Sequence, residues 1–186
     1  TMEVDNFIYK KFIDTNICDE LINYYEKSPN KIKGNFGHGI AQNTELKQST
    51  EIDFRPQDGD LFNRYIKELH KVCEAYKNKY IYSDTHQQSW GWIGSKIQKY
   101  RPNEGYHIWH AENTGKLSQV NRHLVFMTYL NTVKNGGETG FFYQNLKIKP
   151  EKGLTLIWPA AWTHTHKGHP SPNENKYILT GWYGYL

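Results

Sequence analysis

"HLVFMTYLN", residues 123–131, is the stretch that decides the fold class. Side chains of an extended chain leave alternate faces, so His123, Val125, Met127 and Tyr129 share one face of a strand. "KYILTGWYGY", residues 176–185, repeats the pattern and places Lys176, Ile178, Thr180 and Trp182 together. From Gly91 onward, short runs of Val, Ile, Tyr, Phe and Trp are separated by Gly, Pro and Asn clusters, which is an all-β signature. Strands are expected at 95–100, 122–131, 138–143, 145–149, 153–158, 162–167 and 176–184.

Upstream the period changes. "NFIYKKFIDTNICDELINYYEKS", residues 6–28, reads as a short strand and then a helix capped near Thr15 or Asn16. Leu61, Tyr65, Leu69, Val72, Tyr76 and Tyr80 recur at the spacing of one buried helical face, so a second helix packs on the sheet. Residues 30–58 are polar and weakly periodic, and are expected to form loops and short strands. The fold class is therefore α+β, mainly β: two helices against an antiparallel sandwich or barrel. The 186 residues are read as one domain, 1–186, with helical support mainly over 14–80 and a β core over 91–186.

Composition narrows the function classes. Fourteen Tyr and six Trp mean that much of the burial comes from rings with polar tips, which suits a lined pocket. A net charge of +4 without any Lys/Arg block gives no electrostatic footprint for nucleic acid. No stretch approaches the length of a membrane span, so no membrane partner is expected. Cys18 and Cys73, each in a helical pattern, read as two buried thiols in a reducing compartment, and a cytoplasmic location follows.

"GYHIWHAEN", residues 105–113, places His110 and Glu112 two apart. If that segment is extended, an imidazole and a carboxylate leave the same face and can grip one cation. "WTHTHKGHP", residues 162–170, offers His164 and His166, also two apart, and either could supply a third ligand. Two imidazoles and one carboxylate leave adjacent coordination positions open, which suits non-haem Fe(II); zinc hydrolysis uses similar ligands.

Lys96 to Tyr185 resembles the Fe(II)- and 2-oxoglutarate-dependent dioxygenases, especially the prolyl 4-hydroxylase branch. The landmarks are Gly105 before His110-Ala111-Glu112, "GGETGF" at 136–141, and His166 followed by Pro170 and Lys176. The spacing of Pro170 and Lys176 favours His166 over His164 as the distal ligand. The resemblance implies a double-stranded β-helix (jelly-roll) core and the metal triad His110, Glu112 and His166. It also implies Fe(II), with 2-oxoglutarate and O2 as co-substrates and ascorbate as an optional reductant. Succinate and CO2 would be released as a C–H bond is hydroxylated. A lysine among the apolar neighbours of Lys176 would be costly without an anionic partner. The resemblance implies that the distal carboxylate of 2-oxoglutarate is that partner, with a phenol hydrogen bond from Tyr129; the alternative is that Lys176 begins an edge strand and points to water while Tyr129 merely packs. Tyr100 matches a tyrosine lining this pocket, and Trp182 matches an aromatic that packs beneath the metal. Glu112 departs from the family, where Asp is usual.

The resemblance implies a proline-containing peptide or protein as substrate, with the loops at 30–58 and 82–92 as candidate walls of its groove; the tryptophans of "SWGWIG", residues 89–94, either stack on proline rings or pack in the core or a turn. The alternatives are a non-prolyl or small-molecule substrate and a catalytically silent binding domain of the same fold. A nucleic acid dealkylase would carry arginines after the distal His, and none follows Arg122.

Overall fold

A computed structural model describes residues 4–34 and 45–186; the part of the expected 30–58 loop that spans 35–44 lies outside the described residues. The chain begins with β1 (Tyr9–Phe12) and α1 (Asn16–Lys27), and the Asp14 carboxylate accepts the Asn16 N–H at 2.9 Å to start that helix. Two short strands, β2 (Ile32–Lys33) and β3 (Thr50–Asp53), precede α2 (Asp60–Lys79). Gly59, at φ +75°, makes the turn into α2 that a side chain would resist.

Eight strands follow: β4 (Trp90–Tyr100), β5 (Tyr106–His110), β6 (Arg122–Tyr129), β7 (Thr139–Phe141), β8 (Leu146–Ile148), β9 (Leu154–Pro159), β10 (His166–Gly168) and β11 (Lys176–Tyr185). They form a seven-stranded sheet, β1-β9-β6-β11-β4-β3-β2, and a four-stranded sheet, β5-β10-β7-β8, with every pairing antiparallel. This is the jelly-roll architecture with two helices on the larger sheet.

Alternation sorts the core in two. Leu124, Phe126, Ile157 and Leu179 face the helices and meet Leu21, Tyr25, Tyr65, Leu69, Val72 and Tyr76. Val125, Met127, Tyr129, Leu156, Trp158 and Ile178 face the other way and meet Phe141 of the smaller sheet. The stripe expected on α2 is therefore the packed one, extended by Phe62 and Cys73.

Two local expectations fail and a third is narrowed, each for an identifiable reason. Residues 162–164 form a single 3-10 turn rather than the start of a strand, so the alternation assumed for 162–167 begins only at His166. A register shift between Tyr183 and Gly184 pairs Leu124 with Tyr183 and Arg122 with Gly184. His123 is the residue passed over, and it contacts Trp90 and Tyr185 rather than sharing the face of Val125. Finally, the "SWGWIG" tryptophans take the packing alternative rather than offering faces for proline rings. Trp92 packs edge-on against Phe62 of α2, and Trp90 packs against Tyr183 and His123.

Candidate metal centre

β5 and β10 are hydrogen-bonded neighbours, and their register sets His110 directly opposite His166. The two rings lie 4.3 Å apart between centroids. β5 ends at His110, so Glu112 is not on its strand but in the bend after it. The longer glutamate side chain reaches back from there. Its Oε1 lies 3.3 Å from His110 Nε2 and 3.1 Å from His166 Nε2, and one ligand atom from each of the three residues falls within 4.8 Å of the others.

The donor set fits a cation. His110 Nδ1 is 3.0 Å from the carbonyl of Ile108, and His166 Nδ1 is 2.8 Å from that of His164. Each ring thus has an oxygen facing both nitrogens, while a neutral imidazole carries one N–H. One nitrogen of a neutral ring then faces an oxygen with no proton between them, an opposition that a shared cation relieves. Burial, together with the neighbouring His166, lowers the pKa of His110 and keeps it in the neutral ligating form. Burial works against charge on Glu112, but the His110 and His166 rings beside it hold its carboxyl well below the usual range.

The outer contacts are equally specific. Trp182 Nε1 donates to Glu112 Oε2 at 2.9 Å, and Arg122 donates to the Glu112 backbone carbonyl at 2.9 Å. The Arg122 guanidinium lies 4.0 Å over the Trp182 ring. Tyr106 stacks on His110 at 3.6 Å with the planes 12° apart, which fixes that imidazole's tilt. Partners of this kind orient ligands, and their loss typically lowers metal affinity ~10- to 100-fold. Trp182→Phe keeps the ring and removes the donor, so a drop of that size is expected in an Fe(II) titration. Unchanged affinity would show that Glu112 holds its pose unaided.

The triad opens on a cavity of about 600 Å³. Lys176 lines it, is 4% exposed, and begins β11 in register with Tyr100. Its ammonium donates to the Gly137 carbonyl at 2.9 Å and lies 5.2 Å from the Tyr100 ring centroid. Among the described residues no carboxylate lies within ion-pairing distance of it. Gly137 sits at φ +75° against the Lys176 side chain, so "GGETGF" supplies both that carbonyl and Thr139 of the cavity wall. Tyr129 does not line the cavity: its hydroxyl is spent on Thr139 Oγ1 at 2.5 Å and the Ile148 carbonyl at 3.3 Å, so it backs Thr139 from outside. His164 is turned away, its Nε2 2.8 Å from the Asn6 carbonyl. His107 meets Gln48 instead of the triad.

Residues 95–184 match the family model described as the 2OG-Fe(II) oxygenase superfamily. Those residues belong to that superfamily. Solved structures with the same fold include a viral collagen prolyl hydroxylase from Paramecium bursaria Chlorella virus-1 in complex with 2-oxoglutarate. That structure is 19% identical, with 97% of each chain covered and a TM-score of 0.72. A Pseudomonas putida prolyl-4-hydroxylase is 13% identical over 95% of this chain and 92% of its own, at 0.75. A Trichoplax adhaerens prolyl hydroxylase, in complex with a hypoxia inducible factor oxygen degradation domain peptide, is 15% identical over 96% and 84%, at 0.77. No curated protein sequence matches the chain.

The cofactors of this oxygenase are Fe(II) and 2-oxoglutarate. Several residues around them were not read from the sequence. Arg122, Tyr106 and Thr139 each touch a ligand or line the cavity, and so do Lys47, Glu51, Lys96 and Gln98. Of these only Thr139 lies inside a recognisable motif. None of the described helices is long and apolar enough to cross a membrane.

Proposed function

We propose that this 2OG-Fe(II) oxygenase hydroxylates a prolyl residue of a peptide or protein. Residues 1–186 are read as one such domain, working in a reducing compartment such as the cytoplasm that suits the free buried thiols Cys18 and Cys73. The observation that carries the catalytic part is the unpaired, buried Lys176 in the cavity that the His110, Glu112 and His166 triad opens on. Support for a prolyl substrate comes from the fold neighbours, two of which are named for collagen or crystallised with a peptide.

When bound, iron with 2-oxoglutarate and O2 supplies oxidative decarboxylation to succinate and CO2, coupled to hydroxylation of a C–H bond. The chain's own residues hold and orient. His110, Glu112 and His166 would carry the ion through Nε2, a carboxylate oxygen and Nε2. Trp182 and Arg122 keep the carboxylate in place, and Lys176, with Tyr100 and Thr139 beside it, would receive the distal carboxylate of 2-oxoglutarate. Trp158, Met127 and Ile178 give the cavity dry walls.

The test is anaerobic. Fe(II) plus 2-oxoglutarate should give the weak visible charge-transfer band of the chelate, and a silent binding domain would give none. Repeating the 2-oxoglutarate titration across pH tests the lysine. Burial lowers the Lys176 pKa to about 8, with Glu138 opposing the shift. Below pH 8 the ammonium is already charged and affinity should be flat. Above it the anion must bring a proton with it, so affinity should fall by up to ~10-fold per pH unit until the pKa of the bound form is reached. A flat profile through pH 9.5 would remove Lys176 from the site.

A further inference from the structure

The inside of a jelly roll is ordinarily apolar, and the β6 and β9 side of this one is, with Val125, Met127, Leu156 and Trp158. The β3 and β4 side is not. Lys96, Gln98 and Tyr100 alternate along the cavity face of β4, and the register sets Glu51 of β3 opposite Gln98 and Asp53 opposite Lys96. Lys47, just upstream of β3, joins them on the cavity wall.

These groups do not neutralise one another. The Glu51 carboxylate accepts from Lys47 at 3.3 Å, Lys96 at 2.9 Å and Gln98 at 2.8 Å, so one negative charge serves two ammoniums. Among the described residues neither lysine has another carboxylate within ion-pairing distance, and Asp53 is drawn off by Arg55. Lys47 is 5% exposed. Its pKa is lowered, by burial first and also by Lys96, with Glu51 and, more weakly, Glu112 opposing. Across the whole cavity six basic side chains meet three acidic ones. A divalent cation and a doubly charged co-substrate cancel each other and leave that surplus in place.

The location is informative. Lys47 Nζ lies 5.1 Å from the centroid of Tyr106, the ring stacked on His110. Lys96 Nζ lies 5.8 Å from the centroid of Trp182, the ring that holds Glu112. Each ammonium is one aromatic ring removed from a metal ligand, on the side of the cavity away from the two apolar strands.

We propose that the substrate carries a carboxylate close to the carbon that is hydroxylated, and that Lys47 and Lys96 receive it. This rests on the hydroxylase reading and adds the chemistry of the substrate's next group. The carboxylate has two sources, the α-carboxylate of a free imino acid or the side chain of an acidic residue beside a peptidyl proline.

Two probe pairs separate them: L-proline against L-prolinamide, and acetyl-Asp-Pro-Gly-amide against acetyl-Asn-Pro-Gly-amide. Each is titrated calorimetrically, under argon, into protein loaded with Fe(II) and 2-oxoglutarate, after the chelate band has been recorded. A charge-assisted contact predicts that the carboxylate member of one pair binds at least ~10-fold tighter than its neutral partner. The pair that discriminates identifies the source. Lys96→Gln, at a side chain that is 25% exposed, should fold and lose most of that preference; Lys47→Gln repeats the test from the buried side. A purely structural ion cluster would change thermal stability in these variants without any such preference in the wild type. Equal binding within both pairs, no binding of any probe, or a preference undiminished in both variants overturns the proposal. Absence of the chelate band before any probe is added overturns the hydroxylase reading, and this inference with it.

Discussion

His166→Ala is expected to abolish Fe(II) binding and succinate formation, while His164→Ala retains both. The two residues are two apart and the same in kind, yet their surroundings differ completely. His166 opens β10 opposite His110, with its Nε2 3.1 Å from Glu112. His164 closes a 3-10 turn and holds the N-terminal segment through the Asn6 carbonyl. Two remaining ligands cannot hold a labile first-row divalent ion firmly. Losing the His164 contact removes about one buried hydrogen bond, ~1 kcal/mol, or a fall in Tm of roughly 2–4 °C for a chain of this size. Fe(II) titration and thermal melts of both variants check this. The reverse outcome, with iron lost from His164→Ala alone, would move the site.

Lys176→Ala should leave iron binding intact and weaken 2-oxoglutarate severely. The ammonium lines the cavity beside the Gly137 carbonyl and the Tyr100 ring, and among the described residues no carboxylate is within ion-pairing distance of it. Truncating one partner of a desolvated charge pair typically costs ~2 to 5 kcal/mol. At ~1.4 kcal/mol per decade this is on the order of a 30-fold to several-thousand-fold rise in Kd. Lys176→Arg should be impaired less, because the charge remains while a planar fork replaces a point donor that fits the Gly137 carbonyl. An anaerobic 2-oxoglutarate titration of the iron-loaded variants is decisive, and an unchanged Kd in Lys176→Ala would remove the clamp.

What was legible in the sequence follows from the range of each signal. Alternation along 123–131 and 176–185 and the helical stripe from Tyr65 to Tyr76 are local, and they gave the two-layer fold and its faces. The triad was reached through spacing, but through a wrong local geometry. Spacing puts His110 and Glu112 on one face only if the segment is extended through both, whereas β5 stops at His110 and the longer glutamate side chain reaches back from the bend. His164 and His166 could not be separated by alternation because no strand exists at 162–164. Tyr129 was placed on the correct face, but whether its hydroxyl meets a ligand or Thr139 depends on β7, which alternation in β6 says nothing about. Lys47, Glu51 and Lys96 were out of reach for another reason. They come from segments some 45 residues apart, and their charges look like ordinary surface until β3 pairs with β4.

The register that sets His110 across from His166 joins positions far apart in the chain, in the weaker of the two sheets. β10, β7 and β8 are three residues each, and β5 is five. Strands so short bury little apolar area of their own. An ion held by both imidazoles and Glu112 ties the first and second strands of that sheet together, and it binds only the folded form. By mass action such a species adds about 4.1 kcal/mol to the free energy of unfolding when present at a thousand times its Kd. Iron held there would thus also act as a rivet: Fe(II) loading is expected to raise the melting temperature, and a chelator to lower it, because the ion fastens the frame that aligns the site.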